Sequence, residues 1–173
     1  MASTRIRSLE KIGDREIEGL SDVLIDCVEG GASVSFMLPM TREKADEFWR
    51  SAADSVARGE RIVLAAEDAN GIVGTVQVIL AQPENQPHRA DIAKMLVHRR
   101  ARRQGIGAAL LVAAERSARE AGKSLLVLDT ASGDAERVYE RGGWQRSGTI
   151  PDYALWPGGG LCATTYYFKS LVS

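Results

Sequence analysis

From Val97 to Leu111 the chain reads VHRRARRQGIGAALL. A strand-like apolar alternation ends there, four arginines crowd into five positions, two glycines follow, and small and aliphatic residues at helical spacing take over. Such a joint carries the chain out of a strand and into a helix. The apolar run SLLVLDT comes next and reads as another, buried strand. A helix lying between two strands of one sheet ordinarily makes a right-handed crossover between parallel neighbours. This single stretch therefore predicts a sheet that is at least partly parallel, with a helix packed on its face.

The flanking sequence supplies the other elements. TRIRSLE has the short alternation of a first strand, and Ile17, Leu20, Val23, Leu24, Cys27 and Val28 recur at helical spacing until Gly30 and Gly31. Thr41 is an N-cap candidate for a second helix, whose apolar face is Ala45, Phe48, Trp49, Ala52, Ala53 and Val56 and whose end is marked by Gly59. RIVLAAE and IVGTVQVIL are strands joined by the hairpin signal in DANG, and ADIAKMLVH follows after a polar loop. The crossover helix runs from about Gly105 to Ala121, with Ile106, Leu110, Ala113, Ala114, Ser117 and Ala121 as its expected inward stripe. DAERVYERGGW is a short helix, and WQRSGTIPDY and LCATTYYFKSL are closing strands around the turn-rich WPGGG. The expected fold class is α/β: one domain over residues 1–173, a mixed central sheet of about seven strands and about four helices.

Composition excludes several partners. The formal net charge is only −1, so the arginine run is a local feature of a chain that is not basic overall. The N-terminal MASTRIRSLEKIGDREIE has no apolar signal core, and no apolar run approaches the ~18 residues of a membrane span. Cys27 and Cys162 are too few and too scattered for a disulfide framework or a zinc site. A reduced, cytoplasmic protein without metal or membrane partner is expected, as monomer or homodimer.

Three uses of the arginine loop can be weighed physically. A nucleic-acid surface would spread its charge over a face and interleave aromatics, which this loop does not do, so no nucleic-acid partner is expected. No GxxxxGK[ST] string occurs, and Gly105 lies too far beyond the strand for the first glycine of a dinucleotide-binding turn. A cradle for one diphosphate fits. Arg102, Arg103, Gln104, Gly105, Ile106, Gly107 and Ala108 stand where a helix begins, so their backbone N–H groups point the same way and the helix dipole adds positive potential. Arginine side chains can clamp the outer oxygens with paired hydrogen bonds.

R-x-x-G-x-G opening a helix after a strand resembles the coenzyme A pyrophosphate loop of the GNAT superfamily of N-acetyltransferases. The order of elements resembles that family over nearly the whole chain, and Ala135, Tyr139, Gly143 and Trp144 match its A-x-x-x-Y-x-x-x-G-[FW] helix position by position. GGASVSFM, LDT and IPDYALWPGGGLCATTYYFKSL are similar, more narrowly, to the tabtoxin-resistance acetyltransferases and their relatives, which acetylate small amines. The resemblance implies acetyl-CoA as co-substrate. It implies that the backbone of Met95, Leu96 and Val97 pairs with the pantetheine arm, that the N–H of Leu96 or Val97 faces the thioester carbonyl, and that Tyr139 is the general acid. Where many members carry asparagine seven residues before that tyrosine, this chain has Ser132.

The base is open between two carboxylates and a water chain. Asp129 ends a buried strand, where a carboxylate is costly without a partner or a task, and Asp91 opens the neighbouring strand. Phe36 and Tyr153, with Met37 and Trp156, flank loops near the expected acceptor entrance and form a substrate wall or a dimer contact. The expected activity is direct acetyl transfer to a small-molecule amine, a toxin or antibiotic among the candidates. A coenzyme A-binding sensor that transfers nothing would keep the arginine–glycine loop and be indifferent to loss of Tyr139.

Overall fold

The computed structural model describes residues 3–172. Seven strands form one sheet: β1 (Arg5–Ser8), β2 (Arg61–Asp68), β3 (Gly71–Ile79), β4 (Arg89–Val97), β5 (Leu125–Thr130), β6 (Gln145–Leu155) and β7 (Leu161–Ser170). Four α-helices flank it: α1 (Asp14–Glu29), α2 (Arg42–Ala57), α3 (Ile106–Glu120) and α4 (Gly133–Arg141). The strand order is β1-β2-β3-β4-β5-β7-β6, and only the β4–β5 pair is parallel. That pair is the one the crossover helix α3 joins. The fold is the single mixed α/β domain the sequence implies.

Two apolar clusters sandwich the sheet. Val76, Val78, Ala90, Ile92, Leu126 and Leu128 turn to one face, against Ile106, Leu110, Ala114 and Ala118 of α3 and Tyr139 of α4. Val63, Ala65 and Leu96 turn to the other, against Leu20, Leu24 and Val28 of α1 and Ala45, Trp49 and Ala52 of α2. Thr41 caps α2 as expected, its side chain accepting from the Lys44 N–H at 3.3 Å.

Two features position the site. The ladder between β3 and β4 pairs Thr75 with Leu96 and Gln77 with Ala93, so Lys94 and Met95 together oppose Val76. This is a β-bulge, and Lys94 takes the left-handed conformation there (φ 50°). Ahead of the bulge, past Asp91, β4 has already left its other neighbour: β4 and β5 pair only over Arg89–Asp91 and Leu125–Val127, and β5 then continues beside β7. The second feature is Gly74. A Cβ at that position would stand 3.1 Å from Leu110 Cδ1, 3.1 Å from Leu96 O and 3.2 Å from Ile106 Cγ2. Its missing side chain lets the start of α3 sit directly on β3.

The inward stripe of α3 differs from its expected form. Ile106, Leu110 and Ala114 are buried as expected, but Leu111, Glu115 and Ala118 complete the stripe, while Ala113 and Ser117 lie at its margin and Ala121 is exposed. Glu115 is buried because its partners arrive from the far end of the chain. Its carboxylate accepts from Trp144 Nε1 at 2.9 Å and from Lys169 Nζ at 2.8 Å, and the same ammonium donates to Gly142 O at 2.6 Å. The network ties α3, the end of α4 and β7 together. Glu115→Leu should cost about 3 kcal/mol in urea unfolding, since it leaves a half-buried ammonium without its counter-charge and the indole N–H of Trp144 without an acceptor. Adding Lys169→Met should recover much of that loss; a double variant no better than the single one would show that Glu115 acts by its packing instead.

Candidate active site

Where β4 and β5 part, a cleft of about 1350 Å³ opens, bounded by the β4 backbone from Ile92 to Val97, the arginine–glycine loop, the start of α4 and the segment after α1. Past Asp91 its β4 wall has a strand partner only on the β3 side. The His98 N–H donates to Val73 O on the β3 side, and Leu96 O faces Gly74 on that side too. By alternation the N–H and C=O of Val97 face away from β3, toward the gap. Cys27 Sγ and Arg102 Nε both donate to that Val97 carbonyl, at 3.5 and 3.3 Å. Of the two N–H groups considered for the thioester carbonyl, the one that faces the gap is therefore that of Val97. The Leu96 backbone belongs to the β3 ladder.

The four arginines divide into two pairs. Arg99 donates to Asp26 of α1 from its backbone at 2.8 Å and from Nε at 3.0 Å, and Arg100 Nη1 donates to Asp68 of β2 at 2.6 Å. Burial pushes the Asp26 carboxyl up, but the Arg99 amide and guanidinium and His98 outweigh it, and its pKa lies below the usual value. Arg99 and Arg100 thus pin the loop to the body of the fold. Arg102 and Arg103 line the cleft, and Arg103 makes no ion pair with a carboxylate among the described residues. Arg103 also takes a left-handed backbone (φ 61°), as does Gly105 (φ 75°), the residue that caps α3 without a side chain.

The first turn of α3 carries no acidic residue, and a Cβ on Gly107 would meet nothing within 4 Å. The initial N–H groups of α3, at Ile106, Gly107 and Ala108, are those an α-helix leaves without intrahelical partners. They border open space beside Arg102, Arg103 and Gly105. Gln104 is exposed in the same loop. A helix start without a side-chain cap, two arginines without a carboxylate partner among the described residues and a strand backbone open on one side are a donor set that fits a diphosphate followed by an amide-containing arm.

The opposite wall comes from β5 and α4. Tyr139 is 5 % exposed, and its ring packs on Trp144 and Tyr167 with centroids 5.9 Å from each. Burial, reinforced by the negative charge of Asp129, pushes its phenol well above the ordinary tyrosine value. It stays protonated at any physiological pH. Ser132 caps α4, its hydroxyl oxygen accepting from the Ala135 N–H at 3.4 Å, which leaves the hydroxyl proton for a group in the cleft. Asp129 is exposed at the end of β5, lines the cleft and accepts from Thr164 Oγ1 at 2.7 Å.

Asp91 departs from expectation. It stands beside Val127 where β4 and β5 still pair, and its carboxylate is engaged by the Arg89 guanidinium and by Gln82 Nε2 at 3.1 Å. It does not line the cleft, because the strands separate only beyond it. Phe36 packs edge-on against Phe48 (5.4 Å) as part of the cluster under α2, and Tyr153 bonds Tyr166 hydroxyl to hydroxyl at 3.0 Å. That bond, with burial and the Asp129 charge, pushes the Tyr166 phenol up to about 12. The cleft edge nearest the acceptor side is instead lined by Ser33, Ser35 and Trp156. Lys94 also lines it, a residue that strand periodicity reads as an ordinary outward position. Only the bulge, which no local pattern announces, turns it there.

Comparison with known proteins agrees with this fold. A curated relative, "Uncharacterized N-acetyltransferase in hisH-hisA intergenic region" of Azospirillum brasilense, is 26% identical over 131 residues, 75% of this chain and 76% of its own. Among solved structures, ribosomal-protein-alanine N-acetyltransferase from Brucella melitensis superimposes with a TM-score of 0.78 at 21% identity, over 96% of this chain and 99% of that one. The structure of yncA from Salmonella typhimurium "with its cofactor Acetyl-CoA" gives 0.76 at 17% identity, over 99% and 96%. These last two are likenesses of fold. Residues 32–144, well over half of the chain, match the family described as "Acetyltransferase (GNAT) family", and this protein belongs to it.

Proposed function

We propose that this acetyltransferase moves the acetyl group of acetyl-CoA directly to the amine of a small molecule. The observation that carries the reading is the cleft itself: an anion cradle at one end, strand backbone open on one side along its length, and Asp129 with Tyr139 beyond. Acetyl-CoA supplies the activated acyl group as a thioester. Arg102, Arg103 and the N–H groups of Gly105, Ile106, Gly107 and Ala108 hold the diphosphate, with Gln104 and the Ser132 hydroxyl at the margin. The backbones of Met95 and Val97 hold the arm.

The residues then have separable tasks. Asp129 draws a cationic amine to the cleft and takes its proton, which passes to water, so that nitrogen carries a free electron pair. The Val97 N–H donates to the carbonyl oxygen as that oxygen gains negative charge. As the new C–N bond forms and the C–S bond breaks, Tyr139 gives its phenolic proton to sulfur, and the second proton of the nitrogen, leaving through water, restores the phenol. The resemblance of the IPDYALWPGGGLCATTYYFKSL hairpin to tabtoxin-resistance enzymes supports a small, toxin-like acceptor, with Ser33, Ser35 and Trp156 at the edge of its site.

Calorimetric titration of acetyl-CoA into the purified protein, with a DNA duplex as control, tests the cradle. Stoichiometric acetyl-CoA binding and no duplex binding are expected. Thiol release in the presence of amines then separates an enzyme from a sensor: binding without release on any amine would support the sensor. Absence of acetyl-CoA binding would overturn the proposal.

A further inference from the structure

On the α1–α2 face of the sheet two cations stand without a carboxylate among the described residues, Lys94 in the lining of the cleft and Arg61 on that face outside the lining. Arg61 of β2 donates from Nη1 to Gln77 Oε1 at 2.7 Å, and Lys94 Nζ reaches Ser35 Oγ at 3.3 Å and lies 5.7 Å from the Phe48 ring centroid. Neither has a carboxylate oxygen within 4.0 Å among the described residues. The nearby acids are committed elsewhere, Glu60 to Arg58 and Asp91 to Arg89. Gln77 is 0 % exposed, and both its Nε2 and Arg61 Nε are buried donors with no partner. Buried donors and a half-buried guanidinium are costly without an acceptor, so an arrangement of this kind calls for an anionic one.

The register shows where such an anion would lie. Gln77 pairs with Ala93, next to Lys94 on the bulge, and Arg61 pairs with Ile79, which pairs with Asp91. Side chains at paired positions share a face, so Arg61 and Gln77 lie on the same side of the sheet as Asp129 and Tyr166 on β5 and β7. Burial and the neighbouring Arg61 push the Lys94 ammonium down, while Asp129 opposes them, so the charges of both residues reach it.

We infer that the acceptor is a zwitterion: a small molecule with a primary amine directed to Asp129 and a carboxylate held by Lys94 and Arg61, with Gln77 buttressing the guanidinium. The inference rests on the proposed acetyl transfer and adds the acceptor's chemical class. It sets amino acids apart from polyamines and aminoglycoside-like polycations, which would place positive charge against Lys94 and Arg61. A carboxylate between two cations gains charge-assisted bonds, whereas a second ammonium there would be repelled.

The test is steady-state acetylation by the full-length protein of free α- and ω-amino acids, their carboxamides and the matching decarboxylated amines. The best acceptors should be free amino acids, and amidation should lower kcat/KM by about 10- to 100-fold, chiefly through KM. Lys94→Met and Arg61→Met should each raise KM for the amino acid about 10-fold or more and narrow its advantage over the amide, leaving the acetyl-CoA Kd unchanged. Amides or simple amines that serve as well as the acids would overturn the inference, as would variants that slow both classes equally. So would acetyl-CoA binding with turnover of nothing but polyamines, or of nothing in the panel. Failure to bind acetyl-CoA at all is a different result and strikes the proposed function itself.

Discussion

Tyr139→Phe should lower kcat by about 10²–10⁴ while leaving acetyl-CoA affinity within about twofold of its original value. The reasoning starts from packing. The ring is held between Trp144 and Tyr167 in the main core, and phenylalanine keeps all of that contact. Only burial and the Asp129 charge perturb the hydroxyl, so removing it breaks no hydrogen bond among the described residues. Thermal stability should therefore be nearly unchanged, and the loss should fall on the step in which sulfur leaves. The raised phenol pKa has a consequence in pH. A group held above its ordinary value keeps its proton as pH rises through the usual tyrosine range, so deprotonation of Tyr139 should not limit the rate below that range. Stopped-flow and steady-state turnover from pH 6 to 10 read both effects. A phenylalanine variant at full speed would make Tyr139 a packing residue and nothing more.

Arg103→Glu should weaken acetyl-CoA binding by about 10- to 100-fold, the loss of charge-assisted bonds to a phosphate plus repulsion from the new carboxylate. Arg100→Glu is the informative contrast, because four arginines of similar appearance have different work. Arg100 is paired with Asp68 on β2 and is more than one-third exposed, so its reversal should cost roughly 1 kcal/mol of stability and leave acetyl-CoA affinity within a fewfold. Calorimetry on the two variants reads the difference. Equal losses at both positions would mean that the loop acts as a diffuse field of charge, and the division into anchoring and binding arginines would fail.

That division marks the limit of what local pattern can tell. RRARRQGIG announces a basic loop before a helix, and backbone chemistry makes such a helix start an anion site wherever the chain places it. Which arginines stay available depends on Asp26 and Asp68, far away in the chain, and no periodicity of the loop encodes them. Glu115 shows the same logic on α3. A charged residue amid small ones reads as solvent-facing, yet Trp144 and Lys169 make it a buried hub. Asp91 and Asp129 read alike in the sequence as strand-end acids. They part because β4 and β5 separate after Asp91, leaving one carboxylate bound by Arg89 and the other in the cleft.

The sequence by itself determined the elements, their order and the crossover, because helical and strand periods, caps and glycine stops act over a few residues. It also determined the loop that can receive a diphosphate and the helix that bears Tyr139. The tertiary structure alone decided which charges are spent and which remain. The bulge at Lys94 and Met95, the parting of β4 from β5 and the unanswered Arg61–Gln77 pair arise from register between strands distant in sequence. Charge and hydrogen-bond satisfaction are properties of neighbours in space, and only the packed chain chooses those neighbours.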